Sequence, residues 1–264
     1  MKPVTDLPEA IRRNLKGVLF DIDDTLTTDG RLTAEAYAAL EKLHVAGLTV
    51  IPVTGRPAGW CDHIARMWPI DGVVGENGAF YFRYQRKARY LLKRYVDEAS
   101  VRAEHRLRLD SLRERILATV PGCAVASDQN YRETDLAIDY REDVAPLSAD
   151  AVAHVVALFE AAGATAKVSS IHINGWFGDY DKLSMTRRLF AEQLYTDLEA
   201  KKDRFVFVGD SPNDAPMFAF FPHSVAVANI ADFAGRLEAE PAYVTENRGG
   251  AGFGELADTL LSPN

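Results

Sequence analysis

Cysteine is scarce in this chain. Two stand among 264 residues, Cys61 and Cys123, with neither the spacing of a metal site nor the number of a disulfide framework. They read as buried reduced thiols, which suits a reducing cytoplasm. Long apolar runs are missing as well. No stretch approaches the roughly 18 apolar residues of a membrane span, and the opening "MKPVTDLPEAIRRN" lacks the apolar run of a signal peptide. Positive charge is in deficit, with 30 Lys and Arg against 38 Asp and Glu, a net charge of −8. That balance argues against a nucleic-acid or anionic-membrane surface. It leaves room for an anionic small molecule, because a bound cation reverses the local field. Low-complexity segments and internal repeats are absent. What is left is ordinary globular composition, 47% hydrophobic and 26% charged, with length for one large or two small domains around a sizeable core. A soluble cytoplasmic protein is expected.

Short strand-like runs alternate with helical patterns at both ends of the chain. Residues 18–20 form an apolar run that stops at Asp21. Thr33 is a candidate N-cap, and Ala36, Leu40 and Leu43 recur at helical spacing until Gly47. Residues 48–53 read as a strand ending at Thr54, 57–67 as a helix and 72–74 as a third strand. In the C-terminal third, helices are expected over 182–198, 213–221 and 231–237, and strands over 205–208, 224–228 and 243–245. The alternation predicts an α/β fold, a Rossmann-like parallel sheet with right-handed crossovers. The middle differs. "LAIDY" (136–140) and "KVSSIHINGWF" (167–177) are amphipathic strands, with helices expected over 98–119 and 148–162. Such strands suggest a mixed or antiparallel sheet covered on one face, with its polar positions in solvent. Residues 83–180 are therefore assigned to an inserted α+β domain, and 1–82 with 181–264 to the α/β core.

Ligands of open parallel sheets bind beyond the carboxyl ends of the strands. Three such ends carry reactive groups: Asp21-Ile22-Asp23, Thr54, and Gly209-Asp210 with Asp214 four residues on. If these strands are neighbours, four carboxylates and a hydroxyl converge. Carboxylates packed that closely are costly without a cation. Oxygen-only ligands favour a hard ion, and Mg²⁺ is the first choice. Asp21 and Asp210 are the expected direct ligands, and Asp214 a supporting one. A carboxylate beside a metal-bound phosphate can attack phosphorus, and Asp21, first after its strand, is assigned as nucleophile. Asp23, two residues on, is placed to protonate the departing oxygen and then activate water. Thr54 and Lys182 supply donors and charge for the phosphoryl oxygens.

"DIDDT" (21–25), "VTGR" (53–56), Lys182 and "GDSPND" (209–214) resemble, in order, the four motifs of the haloacid dehalogenase superfamily of phosphohydrolases. "GENGAFYF" (75–82) is similar to the Asn-Gly-Ala segment of its Cof-like and sugar-phosphatase branch, which carries a large α+β cap between the second and third motifs. The insertion at 83–180 lies in that place. The resemblance implies a nucleophile at Asp21 and an acid/base at Asp23, whose backbone carbonyl also binds Mg²⁺. It implies phosphate binding by Thr54 and Lys182, metal binding by Asp210 with support from Asp214, and Asn213 near the phosphate or orienting Lys182. Two positions depart from the pattern. Asp24 stands where many members have Gly, and Leu183-Ser184 follow the lysine where many relatives have Gly, which leaves Lys167, Lys201 and Lys202 as alternatives to Lys182.

Blander readings exist for each feature. Asp21, Asp23 and Asp24 can be a solvated turn, and Asp210 with Asp214 helix-terminal charges. Arg56 is either a substrate contact or a surface ion pair. Asn77, His172, Asn174 and Trp176 are candidate substrate contacts. The alternative puts Trp176 in the core and makes Asn174-Gly175 a turn or bulge. The basic stretches 83–95 and 102–115 read as solvated faces. The reaction expected is Mg²⁺-dependent hydrolysis of a small phosphorylated molecule, a sugar or polyol phosphate of the sucrose-, trehalose- or mannosylphosphoglycerate-phosphatase style. The rivals are a phosphosugar mutase of the same superfamily and a phospho-Asp signalling receiver.

Overall fold

In the computed structural model, residues 1–262 are described. The strands in chain order are β1 (Lys2–Pro3), β2 (Gly17–Phe20), β3 (Thr49–Pro52), β4 (Val73–Gly75), β5 (Phe80–Gln85), β6 (Tyr90–Tyr95), β7 (Ala124–Val125), β8 (Asp135–Asp139), β9 (Thr165–Val168), β10 (His172–Trp176), β11 (Phe205–Gly209), β12 (Val225–Ala226) and β13 (Tyr243–Val244). Six of them form one parallel sheet in the order β1-β13-β12-β11-β2-β3. The parallel bridge of Val53 to Val74 continues it towards β4, from which the antiparallel strands β5 and β6 follow. The chain is thus a mixed α/β protein with a parallel core, as its alternating runs predict.

Strand alternation explains the layers. Val18 and Phe20 face one side of the sheet, where they pack with Leu40, Leu43, Phe253 and Leu256 of the helices Ala34–Val45 and Gly249–Leu261. Leu19 faces the other side, with Ile51, Phe207, and Met185 and Leu189 of the helix Lys182–Gln193. Each fully buried Leu or Phe contributes about 1.5–3 kcal/mol, so the two layers fix β2 and β11 side by side. That adjacency sets Asp21 beside Asp210.

The insertion is a second layer pair. The antiparallel sheet β7-β8-β10-β9 is covered by the helices Ala99–Thr119 and Ala149–Ala161. Leu136, Ile138 and Ile173 meet Leu112, Ile116, Val155 and Phe159 there. The opposite face does not lie in solvent, contrary to expectation. Asp135, Asp139, His172 and Asn174 are each at most 2% exposed, because this face is turned onto the parallel core.

Several boundaries differ from the sequence reading. The division at residue 83 falls inside β5, whose hairpin with β6 packs on the core through Phe80, Phe82 and Leu91. The stretch 167–177 is two antiparallel strands, β9 and β10, because Ser169 Oγ accepts from the amides of Ile171 and His172 and turns the chain. Asn174-Gly175 lies within β10 and is no turn; a Cβ at Gly175 would sit 2.0 Å from Phe159, so the bare backbone makes room for that ring. The helix expected over 182–198 stops at Gln193 and a separate turn begins at Leu198. Residues 228–233 form a 3-10 turn where a helix over 231–237 was expected. Among the described residues no helix is long and apolar enough to cross a membrane.

Candidate active site

Asp21 leaves β2 with its amide still bonded to Val208 O of β11, at 2.9 Å. The chain then turns sharply: the amides of Thr25, Leu26 and Thr27 all converge on Ile22 O. Asp24 takes a φ of 55° within that turn, the left-handed conformation that Gly adopts most readily and Asp tolerates. Asp24 thus takes a backbone conformation that a Gly would also fit. Its carbonyl accepts from Asn229 Nδ2, and its side chain lines a polar cavity of about 110 Å³ that also touches Asp210.

β11 delivers the second acidic pair. A Cβ at Gly209 would meet Asp214 Oδ2 at 2.3 Å, so the glycine admits that carboxylate beneath the strand end. Asp214 Oδ2 accepts from Asp210 N at 3.1 Å. Its Oδ1 accepts from Lys182 Nζ at 2.7 Å, and the same ammonium donates to Asp21 Oδ1 at 3.0 Å. Lys182 is held there by its helix start. Asp181 caps the helix: its Oδ1 accepts from Ser184 N at 2.7 Å and its own amide donates to Ser184 Oγ at 2.9 Å, in a reciprocal capping box. Ser184, a departure at sequence level, therefore fixes where the lysine emerges. Of the four lysines weighed, only Lys182 reaches the acidic strand ends.

Carboxylate oxygens of Asp21, Asp210 and Asp214 lie within 4.8 Å of one another, all buried. Burial pushes the Asp21 carboxyl up to about 7; the Lys182 charge opposes this, while Asp214 and Asp23 reinforce it. Burial and the Asp214 and Asp21 charges push Asp210 well above the usual carboxylate range. Three acids against one ammonium leave negative charge uncompensated, and among the described residues buried Asp210 Oδ2 has no hydrogen-bond partner. An all-oxygen donor set with a spare buried oxygen suits a hard divalent cation, so these residues fit Mg²⁺.

The remaining expected residues divide. Thr54 is fully buried, and its Oγ1 accepts from Arg56 N at 3.0 Å, which leaves its own proton to donate. Asn77 N bonds to Thr54 O at 3.1 Å, and its buried Nδ2 has no partner among the described residues. Asn213 Oδ1 accepts from Ser211 Oγ at 2.8 Å; Asp214, not Asn213, orients Lys182. The Asp23 carboxylate pairs with Arg56 through both oxygens, and its charge still bears on Asp21. Arg56 is neither a surface ion pair nor a free substrate contact, since three carboxylates surround it: Asp23, Asp128 and Glu142. His172 Nε2 lies 2.7 Å from Glu142, and Asn174 Nδ2 donates to Asp135 at 2.9 Å. Trp176 is 1% exposed and stacked on Tyr180, so it belongs to the core and offers no ring face to a ligand.

Sequence reading missed a set of acids. Glu76, fully buried with a φ of 42°, accepts from Ala58 N of the core and from Glu133 N, Thr134 N and Thr134 Oγ1 of the insertion. Arg132 pairs with Asp128 and Asp135 and donates to Gly55 O at 2.9 Å. These ties lock residues 128–134 against 54–58. A cleft of about 540 Å³ opens beside Asp23 and Arg56, walled by Ile22, Trp60, Trp68 and Tyr131.

Known proteins resemble this chain in sequence and fold. The profile of the haloacid dehalogenase-like hydrolases matches residues 15–221. Phosphoglycolate phosphatase 1 of Saccharolobus solfataricus is 26% identical over 253 residues, covering 94% of this chain and 96% of that protein. The trehalose-6-phosphate phosphatase C-terminal domain of C. albicans superposes with a TM-score of 0.69 at 12% identity, covering 98% of each chain. Sucrose-phosphatase from Synechocystis, solved with sucrose and phosphate, gives 0.60 at 14% identity, covering 93% of this chain and 98% of its own. At those identities the two structures share the fold. With the profile spanning both flanks of the insertion, this chain belongs to the haloacid dehalogenase-like hydrolases.

Proposed function

We propose that the protein is a Mg²⁺-dependent phosphomonoesterase that works through an aspartyl phosphate on Asp21. The observation that carries this reading is Lys182 bridging Asp21 and Asp214 beside the unpartnered buried oxygen of Asp210. Asp21, Asp210 and Asp214, with the backbone carbonyl of Asp23, would hold the ion. When bound, Mg²⁺ neutralises charge on the transferring phosphoryl group. Asp21 attacks phosphorus, the bond to the ester oxygen breaks, and Asp23 gives that oxygen a proton. Water then attacks the phosphoryl group while Asp23 takes its proton, and phosphate leaves Asp21 free. Thr54 and Lys182 steady the phosphoryl oxygens.

The leaving group we assign is a sugar or polyol. Supporting this, the cleft beside Asp23 has the volume for a sugar and aromatic walls on which one can stack. The trehalose-6-phosphate and sucrose phosphatases among the structural neighbours point the same way. The phosphoglycolate phosphatase favours a second reading, a two-carbon acid phosphate. Phosphate release from a panel of sugar phosphates, polyol phosphates and phosphoglycolate, with and without EDTA, tests both. The expected result is Mg²⁺-dependent release without a bisphosphate activator, fastest from a sugar or polyol ester. Turnover unaffected by EDTA contradicts the metal assignment, and phosphoryl return to a second hydroxyl of the sugar indicates a mutase.

A further inference from the structure

Arg56 is paired with three carboxylates. Its Nε lies 2.9 and 3.0 Å from the two oxygens of Asp23, and its Nη2 2.8 Å from Asp23 Oδ1. The rest of the fork crosses the domain seam: Nη1 reaches Asp128 at 3.2 Å and Nη2 reaches Glu142 at 2.8 Å. The guanidinium carbon sits 4.3 Å from the centre of the Trp60 ring. Both carboxylates of the insertion are themselves pinned. Arg132 holds Asp128 through Nε and Nη2 at 2.9 and 3.0 Å, and His172 holds the other oxygen of Glu142. A side chain 4% exposed with these donors occupied has little left for a phosphate.

Resting on the phosphatase reading above, we propose that Arg56 is a positioning residue that makes proton transfer by Asp23 depend on the seating of the inserted domain. A guanidinium is planar and rigid, so its donors move together. Asp128 and Glu142 fix one edge of the fork, and the other edge then fixes the plane of the Asp23 carboxylate. Displacement of the insertion removes two of the three carboxylates that hold Arg56. The fork is then free to rotate, and Asp23 loses its orientation towards the ester oxygen. Proton delivery is therefore efficient only while the insertion is seated. A plain buried ion pair between two domains makes a different demand: its loss lowers stability and all turnover alike.

Leaving-group dependence separates the two. 4-Nitrophenolate departs readily without a proton, whereas phenolate needs one more. kcat/KM, which reports on steps through leaving-group departure, is measured for 4-nitrophenyl phosphate and phenyl phosphate. Wild type, Arg56→Lys and Glu142→Gln are compared. Glu142 is partly exposed, so its variant remains informative where a change at buried Arg56 prevents folding. In both variants the value for phenyl phosphate is expected to fall about tenfold more than that for 4-nitrophenyl phosphate, a part of the usual general-acid contribution. Equal losses on the two esters, or no loss in Glu142→Gln, overturn the proposal. A wild-type protein that releases phosphate neither from these esters nor from the sugar phosphates, polyol phosphates and phosphoglycolate removes the phosphatase reading, and this inference with it.

Discussion

Single residues in this protein carry their charge by virtue of what buries them. Glu76 is an example. Burial and the Asp135 charge push its carboxyl up to about 7, against the pull of Arg132 and the donors of Thr134 and Glu133. The native state therefore binds that proton more tightly than the unfolded chain, where the group keeps its ordinary value of 4.5. Its contribution to stability is whole below that value and declines as pH rises to about 7, by about 3 kcal/mol if the full shift is expressed. Glu142 has the opposite sign. Burial raises it, but His172 and Arg56 outweigh that and bring it to about 2, so its contribution is lost as pH falls below the usual 4.5. Chemical denaturation of Glu76→Gln should show a flatter stability profile than wild type between about pH 5 and pH 7. An unchanged slope contradicts the assignment. The partners of these acids are not legible in the sequence, because they lie far along the chain. Asp128 and Glu142 meet Arg56 only across 72 and 86 residues, and Glu76 meets Thr134 across 58. Asp21, Asp210 and Thr54 are legible because each ends an apolar run.

Elements position these residues more sharply than side-chain contacts do. The helix that presents Lys182 starts where it does because Asp181 caps it and because the chain before it lies on Gly78. That glycine has a φ of 107°, and a Cβ there would stand 2.0 Å from Asp181 O. Gly78→Ala is thus strained twice, by backbone conformation and by contact with main chain. We expect a loss of about 2–4 kcal/mol in unfolding free energy and a drop in kcat, since Lys182 shifts with its helix. Gly254, in the helix Gly249–Leu261 with open space around its Cβ position, is the control. Gly254→Ala should be neutral or stabilising by up to about 1 kcal/mol. Equal stability of the two variants contradicts the packing role of Gly78. The elements of the core are readable from periodicity, with ends off by a few residues. The insertion's strands are harder. Alternation in β8 and β10 is visible, but it does not say that the polar face meets a second domain and not water. That face is filled by Asp135, Asp139, His172 and Asn174, residue types that ordinarily mark solvent; Asp135 and Asp139 are bonded within their own segment, by Arg132 and the Glu142 amide, and Asn174 reaches Asp135 across 39 residues.

At the scale of the whole molecule, two compact layers are joined by buried charge. Arg56 and Glu76 reach from the parallel core into the insertion, and Arg132 reaches back to Gly55 O. Such a seam is specific and sensitive to the loss of either partner, since a single removal leaves a buried charge unpaired. It closes the insertion over the acidic cluster, where Asp21 is 4% exposed. In the proposed reaction, a seated insertion limits water around a leaving group in the cleft by Asp23. The proposed chemistry turns on Asp21 as the group that accepts the phosphoryl. Asn at that position keeps the shape and removes the nucleophile. Phosphate release from 4-nitrophenyl phosphate at saturating Mg²⁺ should be lost by about a thousandfold or more in Asp21→Asn relative to wild type. Release by Asp21→Asn within about tenfold of wild type, from protein that is folded and free of contaminating enzyme, contradicts Asp21 as the nucleophile.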